Sequence, residues 1–203
     1  MNEYWNSLLT EKSWKILHEL KNYDFILIGG WAVYLHAHKQ KSKDIDIVVG
    51  IKELEKLKEY GLNKNDNLKK YEIKKEEIDI DIYAEYYSKL TIPAENIKDY
   101  AVKIEGFKVA SKELLLILKQ GAFKNREFSV KGEKDRIDII SLLFSEIDFD
   151  NYCKILKKYK LESFFDELKK VLVNFKDYNA LNLNPREFKI KKNKILEELK
   201  KAI

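Results

Sequence analysis

Cysteine, proline and glycine are all scarce in this chain, with one Cys, two Pro and seven Gly in 203 residues. A lone Cys153 cannot close an internal disulfide; it reads as a small buried apolar group in a protein built for a reducing cytosol. So little Pro and Gly leaves small scope for flexible linkers. A hydrophobic fraction of 45% beside 36% charged residues is that of an ordinary folded protein, so disorder is not expected. Long hydrophobic runs are missing as well. The longest nearly apolar stretch, Phe25 to Ala37, is broken by Gly29 and Gly30 and is too short to cross a bilayer, and the start of the chain has no signal-peptide pattern. A cytoplasmic protein with no membrane partner is the expectation. Histidine is rare too: His36 and His38 stand two apart on an expected helix and cannot share a face, so a zinc pair is not expected. No serine sits in a nucleophile elbow, and no glycine-rich loop ends in Lys-Ser or Lys-Thr, which removes two common classes of hydrolase.

At 24.1 kDa the chain can bury one good core, or two small ones, without a disulfide or a structural metal. Charge is uneven along it. Residues 151–203 hold 14 Lys and Arg against 7 Asp and Glu, a balance of +7, while residues 1–150 hold 25 against 27, a balance of −2, giving the net +5. A basic tail of this kind suits RNA or another polyanion, and it also suits a solvated face on lysine-rich helices.

Periodicity gives a coarse plan without internal repeats. Residues 3–21 space Trp5, Leu8, Leu9, Ile16, Leu17 and Leu20 as a helix; Phe25 to Ile28 is a short strand stopped by Gly29-Gly30; Trp31 to His38 is a short helix. Lys39 to Lys43 is a basic loop, Asp44 to Val49 a strand, and 51–60 a charged helix. Strands are expected at 69–73 and 78–85, joined through Lys74 to Glu77, and at 101–109. Beyond about residue 110 the period becomes helical, at 111–124, 135–145, 149–159, 161–175 and 186–201, with Pro185 at a helix start. The expected fold is α+β: a small mixed sheet with flanking helices in residues 1–109, followed by a helical domain in residues 110–203.

Two features carry chemistry. Gly29-Gly30 ends a strand and opens a helix, a turn whose backbone N–H groups can approach phosphate oxygens, although a glycine pair also serves as plain turn geometry. Asp44 and Asp46 stand two apart on an expected strand, so they share one face about 7 Å apart. Aspartate forms strands poorly and like charges on one face repel, so a compensating cation is implied, and magnesium suits such hard oxygen donors. A second alternation, Ile78-Asp79-Ile80-Asp81-Ile82, offers a third carboxylate. Periodicity leaves both Asp79 and Asp81 open, and a half-exposed strand with acids outward would read the same way.

Strand, Gly-Gly, short helix, Asp-x-Asp strand and later acidic strand occur in order, in FILIGGWAVYLHAHKQKSKDIDIVV and then EIDIDIY. In these stretches the chain resembles the nucleotidyltransferases of the polymerase-beta superfamily, and is most similar to the small bacterial and archaeal group that includes abortive-infection toxin-type enzymes. The resemblance covers about residues 25–83. It implies that Gly29, Gly30, Ser42 and Lys43 contact a nucleoside triphosphate (NTP). It further implies that Asp44 and Asp46 ligate two Mg2+ ions, with Mn2+ an acceptable replacement, and that Asp81 is the third catalytic carboxylate. Asp81 is preferred because an apolar pair, Ile82-Tyr83, follows it out of the strand; Asp79 stays open. A looser likeness over GFKVASKELLLILKQGAFKNREFSVKGEKDRIDIISLL, residues 106–143, adds Lys119 and Arg126 as phosphate contacts, where ion pairing would be the plainer role. The chain departs from many relatives in Lys39-Gln40-Lys41-Ser42-Lys43, where they carry arginine and threonine; lysine keeps the charge but lacks the planar fork that grips phosphate.

The implied activity is transfer of a nucleoside monophosphate from an NTP to a hydroxyl acceptor, with RNA or tRNA favoured by the basic tail. Two alternatives stand beside it: a non-catalytic nucleotide- or RNA-binding module of the same fold, and a toxin–antitoxin component that acts by holding a partner protein. Tyr83, Tyr86 and Tyr87 could stack on a base or pack at a domain hinge.

Overall fold

The computed structural model describes residues 2–202, with side chains described from residue 7 onward. The chain divides into two compact units, Met1–Ser111 and Lys112–Ile203. The first is built on a seven-stranded mixed sheet and the second is helical, so the fold is α+β.

In the first unit α1 (Asn2–Glu19) buries Ser13, Ile16 and Leu17. Strand β1 (Phe25–Ile28) runs straight into α2 (Gly29–Ala37), whose Trp31 is fully buried and donates its indole N–H to Ser13 Oγ at 2.7 Å. That bond meets the one polar demand of an otherwise apolar side chain, while Trp14 packs against the same ring at 4.9 Å. Strand β2 (Ile45–Val49) follows, then α3 (Ile51–Leu57) and strands β3 (Asn63–Asn65), β4 (Lys70–Lys75), β5 (Ile78–Ala84), β6 (Ala101–Ile104) and β7 (Phe107–Ala110). Their order across the sheet is β3-β4-β5-β2-β1-β7-β6. β5 lies parallel to β2, and β7 parallel to β1; the other neighbours are antiparallel. Ile45 and Ile47 of β2 and Ile78, Ile80 and Ile82 of β5 are buried, so one face of the central strands is apolar throughout.

Three expectations change. The strand read over 101–109 is two strands, because Glu105 and Gly106 both take positive φ (50° and 81°) and close a two-residue hairpin of the kind that matches strand twist. The turn between β4 and β5 is likewise only two residues, Glu76 and Glu77, both at positive φ, so that Lys75 pairs with Ile78. Strand β3 was not expected, since Asn-Lys-Asn has no hydrophobic pattern; backbone pairing with β4 and the Asn65 amide on Glu72 hold it.

The second unit comprises α4 (Lys112–Arg126), α5 (Val130–Leu143), α6 (Phe149–Tyr159), α7 (Ser163–Asn174) and α8 (Pro185–Lys201). α5 begins five residues earlier than its apolar period suggests, because Ser129 caps it, accepting from the Gly132 N–H at 3.0 Å. α8 starts with Pro185 behind a capping box in which Asn184 and Glu187 satisfy each other's backbone N–H. Within this unit Tyr152 donates to Gln120, whose own amide donates to the Phe164 carbonyl. Cys153 is free and half-buried, less enclosed than the small buried group expected. Among the described residues no helix is long and apolar enough to cross a membrane.

Candidate functional site

The chemistry-bearing residues of the first unit meet where β1 ends and β2 and β5 begin. Ile28, the last residue of β1, pairs with Asp46 of β2, and Asp46 pairs in turn with Asp81 of β5, which pairs with Glu72 of β4. Directly paired residues project to the same face, so Asp46, Asp81 and Glu72 form one acidic row across three strands. Asp44 lies just before β2 and is near enough to disfavour ionisation of Asp81. Asp79 is exposed, lies beyond the stretch of β5 that pairs with β2, and stands opposite Lys74. It is therefore Asp81 that the sheet brings beside Asp46.

Gly29 explains why this strand end needs glycine. Its φ is +67°, and a Cβ added there would fall 2.0 Å from Asp46 Oδ2 and 2.7 Å from Asp46 Cβ. The N-terminus of α2 thus presses against the acid, leaving space no side chain could share. Gly61 is a fair comparator, with φ +75° and nothing within 4 Å of the same added atom. Gly61→Ala is expected to cost only the left-handed backbone term, about 1–2 kcal/mol, whereas Gly29→Ala should cost clearly more because Asp46 must also move. Urea unfolding of the two variants checks this; equal losses would remove the special role of the Gly29–Asp46 approach.

The Asp81 side chain is only 21% exposed, and its carboxyl is pushed above the ordinary aspartate range. Burial is the main cause, and the Lys70 ammonium pulls the other way without overcoming it. Lys70 Nζ lies 2.6 Å from Asp81 Oδ2 and 3.0 Å from Glu72 Oε1. For Lys70 burial alone would lower the pKa, but its bonds to Asp81 and Glu72 win and raise it. Glu72 is held below the usual range, chiefly by the same ammonium, and also accepts from Asn65 Nδ2 at 3.0 Å. Lys70 and Glu72 were missed from sequence, since only the hairpin register places them beside Asp81.

In the loop between α2 and β2, Lys39, Lys41 and Lys43 are exposed while Ser42 is buried. Gly30 is buried behind Gly29. In the helical unit, Lys119 Nζ lies 2.7 Å from Asp138 and 3.3 Å from Asp135, and Arg126 donates twice to Asp135, at 2.7 and 3.0 Å. Both cations expected to meet phosphate are therefore engaged by acids of α5. Tyr87 donates to Asp66 and packs beside Tyr71, at 5.2 Å between ring centres, while Tyr86 is 72% exposed.

The donor set of Asp44, Asp46 and Asp81 is all carboxylate oxygen, which suits a hard divalent cation better than a softer metal. Among the described residues, no group of three or more His, Cys, Asp or Glu side chains is arranged to hold a metal ion. Asp46 and Asp81 share a row and a face, with Asp81 engaged by Lys70, whereas Asp44 stands in the bend before β2 and not on the strand that its spacing suggested.

Compared by sequence, the chain matches no protein-family profile and no curated protein significantly. Compared by structure, it is similar to a candidate nucleotidyltransferase from H. pylori, with a TM-score of 0.50 and 20% identity over 97% of each chain. It also matches JHP933 from Helicobacter pylori, with a TM-score of 0.48 and 18% identity over 99% of this chain and 94% of that one. An antigenic nucleotidyltransferase-like protein from Paracoccidioides brasiliensis matches with a TM-score of 0.39 and 15% identity, over 88% and 96%. At such identities the first likeness bears on the fold alone.

Proposed function

We propose that this chain, whose fold is nucleotidyltransferase-like, transfers a nucleoside monophosphate from an NTP to a hydroxyl acceptor with the help of Mg2+. The observation that carries the reading is the pairing of Asp46 with Asp81 on adjacent strands, beside a helix N-terminus pressed onto Asp46 through Gly29. Asp44, Asp46 and Asp81 would hold the metal. When bound, a divalent ion supplies neutralising charge for the α-phosphate and the leaving pyrophosphate and acidifies the acceptor hydroxyl. Gly29 and Gly30 let the first N–H groups of α2 approach phosphate oxygens, and Ser42 and Lys43 flank the same acids as further triphosphate contacts. Asp81, with its carboxyl pushed upward by burial, is the best-suited acceptor for the hydroxyl proton.

For the acceptor, RNA is favoured by α8, which exposes Arg186, Lys189, Lys191, Lys194, Lys200 and Lys201. A tRNA 3′ end, as for a toxin-type enzyme, is the specific form of that reading. Purified protein incubated with each α-labelled NTP, Mg2+ and total cellular RNA is expected to leave label on RNA. Binding of tRNA should weaken steeply as salt rises. Label on protein instead would redirect the acceptor, and failure to bind either NTP or divalent metal would favour a non-catalytic binding module.

A further inference from the structure

Lys70 has no part in the reaction outlined above, yet it is among the most deliberately held side chains of the first unit. It projects from β4, two strands away from Asp46, and its side chain is only 12% exposed. Its ammonium bridges Asp81 at 2.6 Å and Glu72 at 3.0 Å. The same Glu72 oxygen, Oε1, also accepts from the Asn65 amide, so the cation sits between two held acids. A lysine ammonium is a compact point charge with three donors and no acceptor, the side chain most like a small bare cation.

From this bridge we infer that Lys70 is a resident cation of the acidic row, whose ammonium on Asp81 Oδ2 competes with a divalent ion for the same negative charge. The inference rests on the proposed use of Asp44, Asp46 and Asp81 as metal ligands, and adds a residue that sets how tightly they do so. The physical argument is one of competition. An acidic row across Asp46, Asp81 and Glu72 would repel itself, and Asp81 is too buried for water to offset the charge fully. Lys70 supplies the missing charge from within the chain. A carboxylate has lone pairs enough to hold an ammonium and a metal ion together, but a fixed ammonium repels an incoming dication and draws charge from the oxygen it bonds, so an ion binds less tightly while Lys70 stays in place. Lys70 thereby stabilises the empty site and weakens metal affinity.

The test is titration of Mn2+ into the full chain by calorimetry, without nucleotide, for wild type, Lys70→Met and Lys70→Arg. Lys70→Met is expected to bind Mn2+ about ten- to a hundredfold more tightly, the scale of one hydrogen bond to a charged group. Lys70→Arg, which keeps the charge, should stay within about threefold of wild type. Unchanged or weaker binding by Lys70→Met overturns the inference and leaves the proposed function standing. Absence of Mn2+ binding by wild type and Lys70→Met alike overturns both. Because the methionine variant loses a counter-charge, melting temperatures with and without Mn2+ provide a second readout. The ion should raise Tm more in Lys70→Met than in wild type, and an equal or smaller rise counts against a resident cation.

Discussion

Asp46→Asn is expected to lower nucleotidyl transfer by at least about a thousandfold while leaving the chain folded. Asparagine keeps the shape and the close approach to Gly29, so the strand end should survive; what is lost is a full negative charge and a hard anionic donor. The effect should exceed that of a change at Asp79, because Asp46 is paired to Asp81 in the sheet and Asp79 is exposed opposite Lys74. Single-turnover transfer from α-labelled NTP, read beside a circular dichroism melt, separates the two properties. Substantial remaining transfer by a well-folded Asp46→Asn would sink the assignment of this carboxylate. A comparable loss in Asp79→Asn would reopen which acid of β5 is used.

Lys119→Met is expected to destabilise the helical unit by about 3–5 kcal/mol, the usual cost of removing one partner from a buried ion pair. Side-chain exposure is 10% for Lys119, 1% for Asp135 and 2% for Asp138, so water can do little to replace the lost charge. Arg126 would stay on Asp135, but Asp138 would lose the ammonium now 2.7 Å away. The sign can be checked by adding Asp138→Asn to the methionine variant. Relieving the stranded acid should recover part of the loss, because a buried amide is less costly than a buried unpaired carboxylate. Urea unfolding of the single and double variants measures both; a loss below about 1 kcal/mol for Lys119→Met would show that the pair contributes little. If this cluster is structural in that degree, activity losses at Lys119 must be corrected for unfolding before they are read as phosphate contacts.

The contrast between these two sets of residues shows what local pattern can reveal. Asp44 and Asp46 stood out because acids at strand spacing contradict strand propensity, and Gly29-Gly30 because a glycine pair interrupts an apolar run. Lys119 and Arg126 stood out only through a looser likeness, and their partners Asp135 and Asp138 lie on the next helix, where sequence spacing says nothing of distance. Lys70 and Glu72 gave no signal at all. Their position turns on the length of one hairpin loop: a four-residue connection from Lys74 to Glu77 would have set Lys70, not Glu72, opposite Asp81. The observed two-residue turn depends on Glu76 and Glu77 both accepting positive φ, which favours glycine or asparagine and which no pattern of glutamates announces.

By itself, the sequence determined the order of strand, glycine turn, helix and acidic strands, and the change to helical period near residue 110. Those are properties of neighbours in the chain, set by side-chain spacing and backbone freedom. Only the tertiary structure decided that Asp81 and not Asp79 stands beside Asp46, that Gly29 yields its Cβ space to that acid, and that Lys70 bridges Asp81 to Glu72. Each of these depends on the register between strands far apart in sequence. Register is settled by the packing of one buried face and by turn geometry, and a period-two pattern looks the same after a slip of two residues.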